Sequence, residues 1–326
     1  MNFSSRLRAA LFALVPLPSL FFAPIFAEHV PELEGFAKNV SVVVETQAGS
    51  GSGVIIGKRS DYHALLTAKH VLGGSSRLGD FEVFPISGSN KGKRFPVVDI
   101  IDLGEGVDAV ILVFKFNGSL KVSPILSMAP DYLRRDEFTS ENNPKGIDHY
   151  NPRLENIRSY YLSGINFFNY DKHQHILGDP IVAGVSLPTA AITSYLYRFS
   201  PVKIIDRLSG NKDGYNLIYL ATSTVPGMSG GGVFGARRCP GRMDWYRDLE
   251  PGKGGDGTRA VYYGVVGIHG RSEAYGSTAS RSGISLGLPL DDFSNVLLEL
   301  STKLGIPLGS EYLKLVQEMC AKDNGF

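Results

Sequence analysis

Short apolar runs, rich in valine and isoleucine and cut by glycine, serine, asparagine or proline turns, recur along this chain in two batches. The first occupies residues 41–45, 53–57, 63–67, 95–103 and 108–116. The second occupies residues 179–187, 193–199, 215–222, 231–234, 260–269 and 283–290. Runs of this length are too short for core helices. Many short strands at close spacing must hide their edges by closing into sandwiches or barrels. The pattern predicts an all-β chain of two units, at 38–127 and 178–290. Between them lies a polar, aromatic stretch, 128–177, that lacks strand alternation and reads as an insertion. After the second unit, Asp291 or Asp292 can cap a helix whose apolar positions are Phe293, Val296, Leu297, Leu300 and Leu304. Gly305 and Pro307 would stop it. A second short helix is expected over 310–320, so that 291–326 is a helical C-terminal segment. No solenoid-period repeat is present.

The N-terminus follows a different logic. Arg6 and Arg8 precede an apolar stretch, 9–27, broken only by Ser19 and by Pro16, Pro18 and Pro24, and a small residue, Ala27, stands before Glu28. This is the order of a secretory signal, cleaved after about residue 27. The competing reading is an uncleaved membrane anchor, and the membrane is a partner only in that case. Either way the folded part is expected outside the cytoplasm, periplasmic or secreted. The two cysteines, Cys239 and Cys320, could pair in such a compartment or remain free; their spacing decides nothing. A net charge of +1 over 326 residues offers no footprint for nucleic acid, and 43% hydrophobic residues exclude a disordered chain.

The chemistry concentrates in three places. Ser229 lies in Thr224-Val225-Pro226-Gly227-Met228-Ser229-Gly230-Gly231-Gly232. A serine hydroxyl attacks a carbonyl only with a base, an orienter for that base and donors for the oxyanion. His70 ends the apolar run Leu65-Leu66-Thr67-Ala68-Lys69-His70, where a strand end fixes the backbone and leaves the side chain facing a cleft. Asp108 opens the run Ala109-Val110-Ile111-Leu112-Val113-Phe114, where a carboxylate set against apolar neighbours needs a partner. The glycine at 227 permits a bend that would aim its own N–H and that of Ser229 at one point, as an oxyanion hole.

These segments resemble those of chymotrypsin-like serine proteases. T-A-K-H-V is similar to the segment around their base, V-D-A-V-I-L to the strand around their acid, and G-M-S-G-G to the segment around their nucleophile. The order His, Asp, Ser is also theirs. G-S-G-S-G-V-I-I ahead of the histidine and V-V-G-I-H-G after the serine agree with bacterial trypsin-like domains, notably cyanobacterial ones. The resemblance implies a chymotrypsin-like double β-barrel with a C-terminal helix, and a secreted endopeptidase acting on polypeptides without metal or cofactor. It also implies roles: His70 as general base and acid, Asp108 as orienter, Ser229 as nucleophile, Gly227 and Ser229 as oxyanion donors, and Ser223, Gly267 and His269 at the S1 subsite. Met228 stands where many members have an acid that pairs with a freed N-terminal ammonium, so activation by that route is not expected. Gly232 replaces a common proline and is expected to loosen the backbone there. Ser223 is not the aspartate of lysine/arginine-specific members. Gly-Ile-His at 267–269 resembles glutamyl endopeptidases, which leaves two P1 classes open: acidic, or small and apolar.

Three rivals remain. Gly227-x-Ser229-x-Gly231 also fits the nucleophile elbow of α/β-hydrolases, with Asp256 and His269 following, but too little chain remains for the βα units that fold requires. Asp171, His173 and His175 could suggest a metal site, although the polar insertion reads better as surface loop. The same double barrel could also be a catalytically silent binding protein, with the insertion docking a protein partner or regulator.

Overall fold

The computed structural model describes residues 31–47, 49–118, 120–126, 176–189, 194–207, 214–221, 223–238, 261–272 and 284–309. The expected signal (1–27), nearly all of the insertion, Cys239, Cys320, Asp171, His173, His175, Asp256 and the helix expected over 310–320 lie outside those residues. Among the described residues, no helix is long and apolar enough to cross a membrane.

Twelve strands close into two antiparallel barrels. The first comprises β1 (Ser41–Thr46), β2 (Gly49–Arg59), β3 (Tyr62–Thr67), β4 (Phe81–Pro85), β5 (Phe95–Asp102) and β6 (Val110–Lys115), hydrogen-bonded in the order β1-β2-β3-β6-β5-β4 and closed by β4 on β1. The second comprises β7 (Ile176–Ser186), β8 (Leu196–Arg207), β9 (Leu217–Ala221), β10 (Gly232–Arg238), β11 (Val261–Ser272) and β12 (Ile284–Pro289). Its order is β7-β8-β9-β12-β11-β10, closed by β10 on β7. Strand for strand, the pairings of the first barrel recur in the second. This is the expected chymotrypsin-like double barrel, followed by helix α2 (Ser294–Leu304).

Burial explains why some strands read as unbroken apolar runs. Along β6, Val110, Leu112 and Phe114 point into the first barrel with Ile55, Leu65 and Phe81. Ile111 and Val113 point the other way, into a second apolar layer. That layer also takes Val54 and Ile56 of β2, Ala64 and Leu66 of β3, and Ile181, Ala183, Phe234, Val265, Ile268 and Leu288 of the second barrel. Strands β2, β3 and β6 are therefore buried on both faces, and a strand so placed has no polar side to show. β5, which reaches this layer only through partly buried Ile101, is mostly exposed or half-exposed. At about 1.5–3 kcal/mol per fully buried large aliphatic side chain, the shared layer is a principal stabilising force between the barrels.

Both chain ends reinforce this docking. α1 (Pro31–Val40) has Pro31 at its first position and Glu32 and Glu34 in its first turn, the arrangement a helix start prefers. It feeds directly into β1, yet Leu33, Ala37 and Val40 bury in the shared layer. Phe36 meets the ring of Phe234 edge-on at 6.1 Å, in the second barrel. Conversely, the chain leaving α2 returns to the first barrel: Leu308 bridges Gly57, and the Arg59 guanidinium donates to the Gly305 carbonyl at 2.7 Å. The segment leaving the first barrel is also tied to both, with Ser123 N–H donating to Ile55 O at 2.8 Å and Leu126 N–H to Val265 O at 2.9 Å.

Three elements differ from expectation. α1 and β4 were not anticipated. The helix N-terminus falls at Phe293, without a side-chain cap, because Asp292 instead accepts a hydrogen bond from Asn216 Nδ2 at 3.0 Å. Gly305 ends the helix as expected, in the left-handed conformation at φ 61°.

His63 gives the first barrel a pH liability. It is fully buried on β3, stacked on Phe114 at 5.4 Å, and among the described residues neither ring nitrogen has a hydrogen-bond partner. Burial, and then nearby Lys58, push its pKa down to about 4; the Asp61 carbonyl and carboxylate oppose this weakly, without hydrogen-bond geometry. A histidine depressed in the folded state stabilises fully above its unfolded value near 6.5, and that stability declines as pH falls towards about 4. His63→Phe is expected to remove this part of the acid sensitivity. Urea unfolding at pH 7.5 and pH 5 should show a larger gain over wild type at pH 5, and an equal gain at both would refute the assignment.

Candidate active site

The register of β3 against β6 brings His70 and Asp108 together. Thr67 lies opposite Val110 at the last rung of this antiparallel ladder, and Lys69 N–H still donates to Asp108 O at 3.3 Å just beyond it. The chain then turns through a short 3-10 segment, Lys69–Leu72, that presents His70 on the barrel rim. Two residues separated by 38 positions thus share one edge. His70 Nδ1 lies 2.6 Å from Asp108 Oδ2, and the His70 backbone N–H donates to Oδ1 at 2.7 Å. An ionised carboxylate only accepts, so Nδ1 is the donor in this pair and Nε2 is left free of Asp108. The imidazole is 44% exposed and its carboxylate partner 18%, so the ring is open to a substrate while the acid is sheltered.

Asp108 has one further partner, from the other barrel: the Tyr215 hydroxyl donates to Oδ2. The Tyr215 ring packs against the backbone of Gly270, where a Cβ would fall 1.9 Å from it, and the Arg271 guanidinium lies 5.2 Å from the ring centroid. Burial pushes the Asp108 carboxyl up. Hydrogen bonds from the His70 ring, the Tyr215 hydroxyl and the His70 backbone, together with the charge of His70, more than offset this and hold it below the ordinary value.

Ser229 sits on the rim of the second barrel, in the turn between β9 and β10. Following each peptide in turn shows how this segment is held. Pro226 O accepts from Leu187 N–H at 3.1 Å. Gly227 O accepts from Ser52 Oγ at 2.6 Å, while Met228 N–H donates to Val225 O at 3.1 Å. Met228 O accepts from Gly231 N–H at 2.9 Å. Ser229 O accepts from Ser52 N–H at 2.8 Å, while Gly230 N–H donates to His269 O at 2.8 Å. Among the described residues, the N–H groups between Pro226 and Gly231 that donate to nothing are those of Gly227 and Ser229. All the peptides are trans, so each of these N–H groups points away from its tethered carbonyl. Gly227 and Gly230 adopt φ 98° and 79°, the left-handed values that make the two successive turns possible.

The turn also abuts the first barrel beside His70. A Cβ on Gly230 would fall 2.2 Å from Thr67 Oγ1 and 2.9 Å from Ala68 N, two residues short of the histidine. Among the described residues no hydrogen bond joins Ser229 Oγ to His70. Met228 is fully buried among Val182, Leu217, Tyr219 and Val233 in the second barrel. Gly232 is not slack: it pairs with Ile268 and Ala183, and a Cβ there would strike the Phe234 ring and Val54.

Of the residues expected at S1, Ser223 is exposed, with its N–H on Ser200 Oγ at 3.0 Å. Gly267 lies mid-strand in β11, its α-carbon against Leu288 O and the Leu217 side chain. His269 is 2% exposed, and its Nδ1 shares a hydrogen bond with the buried Tyr219 hydroxyl. Burial, and then the proximity of His70, lower its pKa to about 4, so it is neutral at pH 7. Two contacts escaped the sequence reading. Ser52 stands in the run Gly51-Ser52-Gly53, where nothing local marks its partners. Tyr215 stands in a turn 107 residues from Asp108, with no local signal at all.

The arrangement can therefore present a carboxylate-oriented imidazole on one rim and, on the rim that abuts it, a serine turn with two unpaired N–H dipoles. No protein-family model matches the sequence, and no curated protein does. Among solved structures, the crystal structure of Rv3671c protease in its inactive form is similar to this chain at 15% identity and a TM-score of 0.41, over 84% of this chain and 97% of that one.

Removing the Tyr215 hydroxyl withdraws one donor from a carboxylate that it favours. In Tyr215→Phe the Asp108 titration, followed by carboxyl-carbon NMR, should move to higher pH. The stability difference from wild type should be present near neutrality and vanish as pH falls below the Asp108 titration. An unmoved midpoint would show that the hydroxyl does not act on the acid.

Proposed function

We propose that this chain is a serine endopeptidase of the chymotrypsin-like family, acting on polypeptides outside the cytoplasm. The observation that carries the reading is the pairing of two features on facing rims. One is a histidine held through Nδ1 by a sheltered carboxylate, with Nε2 free of that partner. The other is a serine turn in which the N–H groups of Gly227 and of Ser229 itself are left unpaired among the described residues.

The roles follow. Ser229 Oγ attacks the peptide carbonyl carbon as His70 Nε2 takes its proton. The carbonyl oxygen becomes an oxyanion stabilised by the N–H groups of Gly227 and Ser229. The imidazolium, stabilised by Asp108, protonates the leaving amine as the C–N bond breaks and an ester to Ser229 forms. Water then attacks the ester by the same route, its proton passing to His70 and on to Ser229. The missing Ser229–His70 hydrogen bond is compatible with this scheme, since such contacts often tighten only around bound substrate.

On specificity, the reading favours a small or apolar P1 residue over an acidic one. His269 is uncharged at neutral pH and already engaged by Tyr219, so it offers little positive charge to a carboxylate.

A fluorophosphonate probe tests the activity. Wild type should be labelled on Ser229; Ser229→Ala and His70→Ala should not, and the alanine at 229 should lose at least about 10³-fold in kcat. A folded wild type that takes no label would favour the silent binding scaffold instead. Digestion of a peptide library should give cuts after small or apolar residues, and cuts confined to glutamate or aspartate would reverse the P1 assignment.

A further inference from the structure

Ser52 belongs to the first barrel, is fully buried, and spends every polar group it has near the nucleophile turn of the second. Its N–H donates to Ser229 O at 2.8 Å and its hydroxyl donates to Gly227 O at 2.6 Å. The same hydroxyl accepts from Val185 N–H at 2.9 Å, and its carbonyl accepts from the Thr67 hydroxyl at 2.7 Å. The two carbonyls it grips belong to the peptides on either side of the Met228–Ser229 peptide, whose N–H is one of the two unpaired donors. Rotation of the Gly227–Met228 or Ser229–Gly230 peptide would break a bond to Ser52, and these two peptides adjoin the Pro226–Gly227 and Met228–Ser229 peptides that carry the free N–H groups. Thr67, the last residue of β3, lies three residues ahead of His70, so one hydrogen-bonded path runs from the strand that leads to the histidine to the serine's turn.

We propose that Ser52 is a positioning residue. Acting from the opposite barrel, its side chain holds the Gly227–Ser229 turn in the conformation that receives the oxyanion, so that the hole is formed before substrate arrives. This rests on the peptidase reading for its catalytic consequence, but not for its structural one. The space around the hydroxyl is specific to a small residue: a Cβ on neighbouring Gly184 would already lie 2.6 Å from Ser52 Oγ and 3.1 Å from Met228 Cα. Ser52→Ala strands Gly227 O and Val185 N–H without their partner in a dry site, where the turn can relieve the carbonyl only by turning the peptide.

The test compares wild type, Ser52→Ala and Ser52→Cys, which keeps a side-chain donor at this position, though a larger and much weaker one. In full-length protein with matched circular dichroism, kcat should fall about 10- to 10²-fold in the alanine variant and less in the cysteine variant, with KM within about twofold. A peptide aldehyde, whose addition product places an oxyanion in the hole, should weaken in proportion to kcat. A product-like peptide that bears no oxyanion should bind unchanged. Independently of activity, the amide resonances of Gly227 and Ser229 should shift in Ser52→Ala while those of β5 and β8 stay in place. Wild-type kcat in an alanine variant, equal weakening of both inhibitors, or unmoved Gly227 and Ser229 amides would each overturn the proposal. Failure of wild type to label or cleave would remove the peptidase reading while the amide shifts still decide whether Ser52 holds the turn.

Discussion

The apolar layer between the two barrels is the contact on which the rest depends. Neither barrel holds a site alone. The histidine and the carboxylate stand on the rim of the first, and the serine turn stands on the rim of the second. Each group is stabilised from across the seam: the carboxylate by Tyr215, the serine turn by Ser52. The polar contacts are short and directional, but they exist because the layer built from Ile111, Leu66, Ile56, Phe234, Ile268 and their neighbours brings the two rims to a fixed separation. Burial supplies the adhesion and hydrogen bonds supply the register.

This division of labour accounts for how the serine turn keeps its shape. Met228, where an acid could have formed an ion pair, is instead a side chain in the interior of the second barrel. The turn is anchored beneath by this apolar plug and laterally by carbonyl tethers from Leu187, Gly231 and Ser52. An apolar anchor has no charge to titrate and needs no newly created terminus. A geometry held by packing and neutral hydrogen bonds is thus available as soon as the barrels dock.

Much of the architecture could be read from the chain, for a definite reason. Strands such as β2, β3 and β6 are apolar on both faces because both faces are buried, and that doubling makes them stand out from any periodicity. β4, Phe81-Glu82-Val83-Phe84-Pro85, carries a weaker mark, because a glutamate interrupts its apolar run and a proline closes it. α1 escaped although Leu33, Phe36, Ala37 and Val40 are correctly spaced, since ten residues beside a β-rich segment read as its approach. The repeat of one barrel's connectivity in the other is invisible in the residues, because closure constrains size and alternation rather than identity. At the site, His70 and Asp108 were readable as candidates because each interrupts an apolar run at its end, where a polar side chain needs a reason. Ser52 and Tyr215 carry no such mark: their importance comes wholly from what faces them across the seam, which local sequence does not record.

The crossed attachment of the chain ends bears on how such a molecule is made. α1 emerges before either barrel during synthesis, but the surface it covers, around Phe234 and Tyr263, is encoded some two hundred residues later. The first barrel can close as soon as β6 has been translated, and it would then carry an unmatched apolar flank and an undocked helix until the second barrel is complete. For that interval the nascent chain displays the sticky surface that the finished protein conceals, so its safe production depends on the speed of the second barrel's folding or on a chaperone that masks the first.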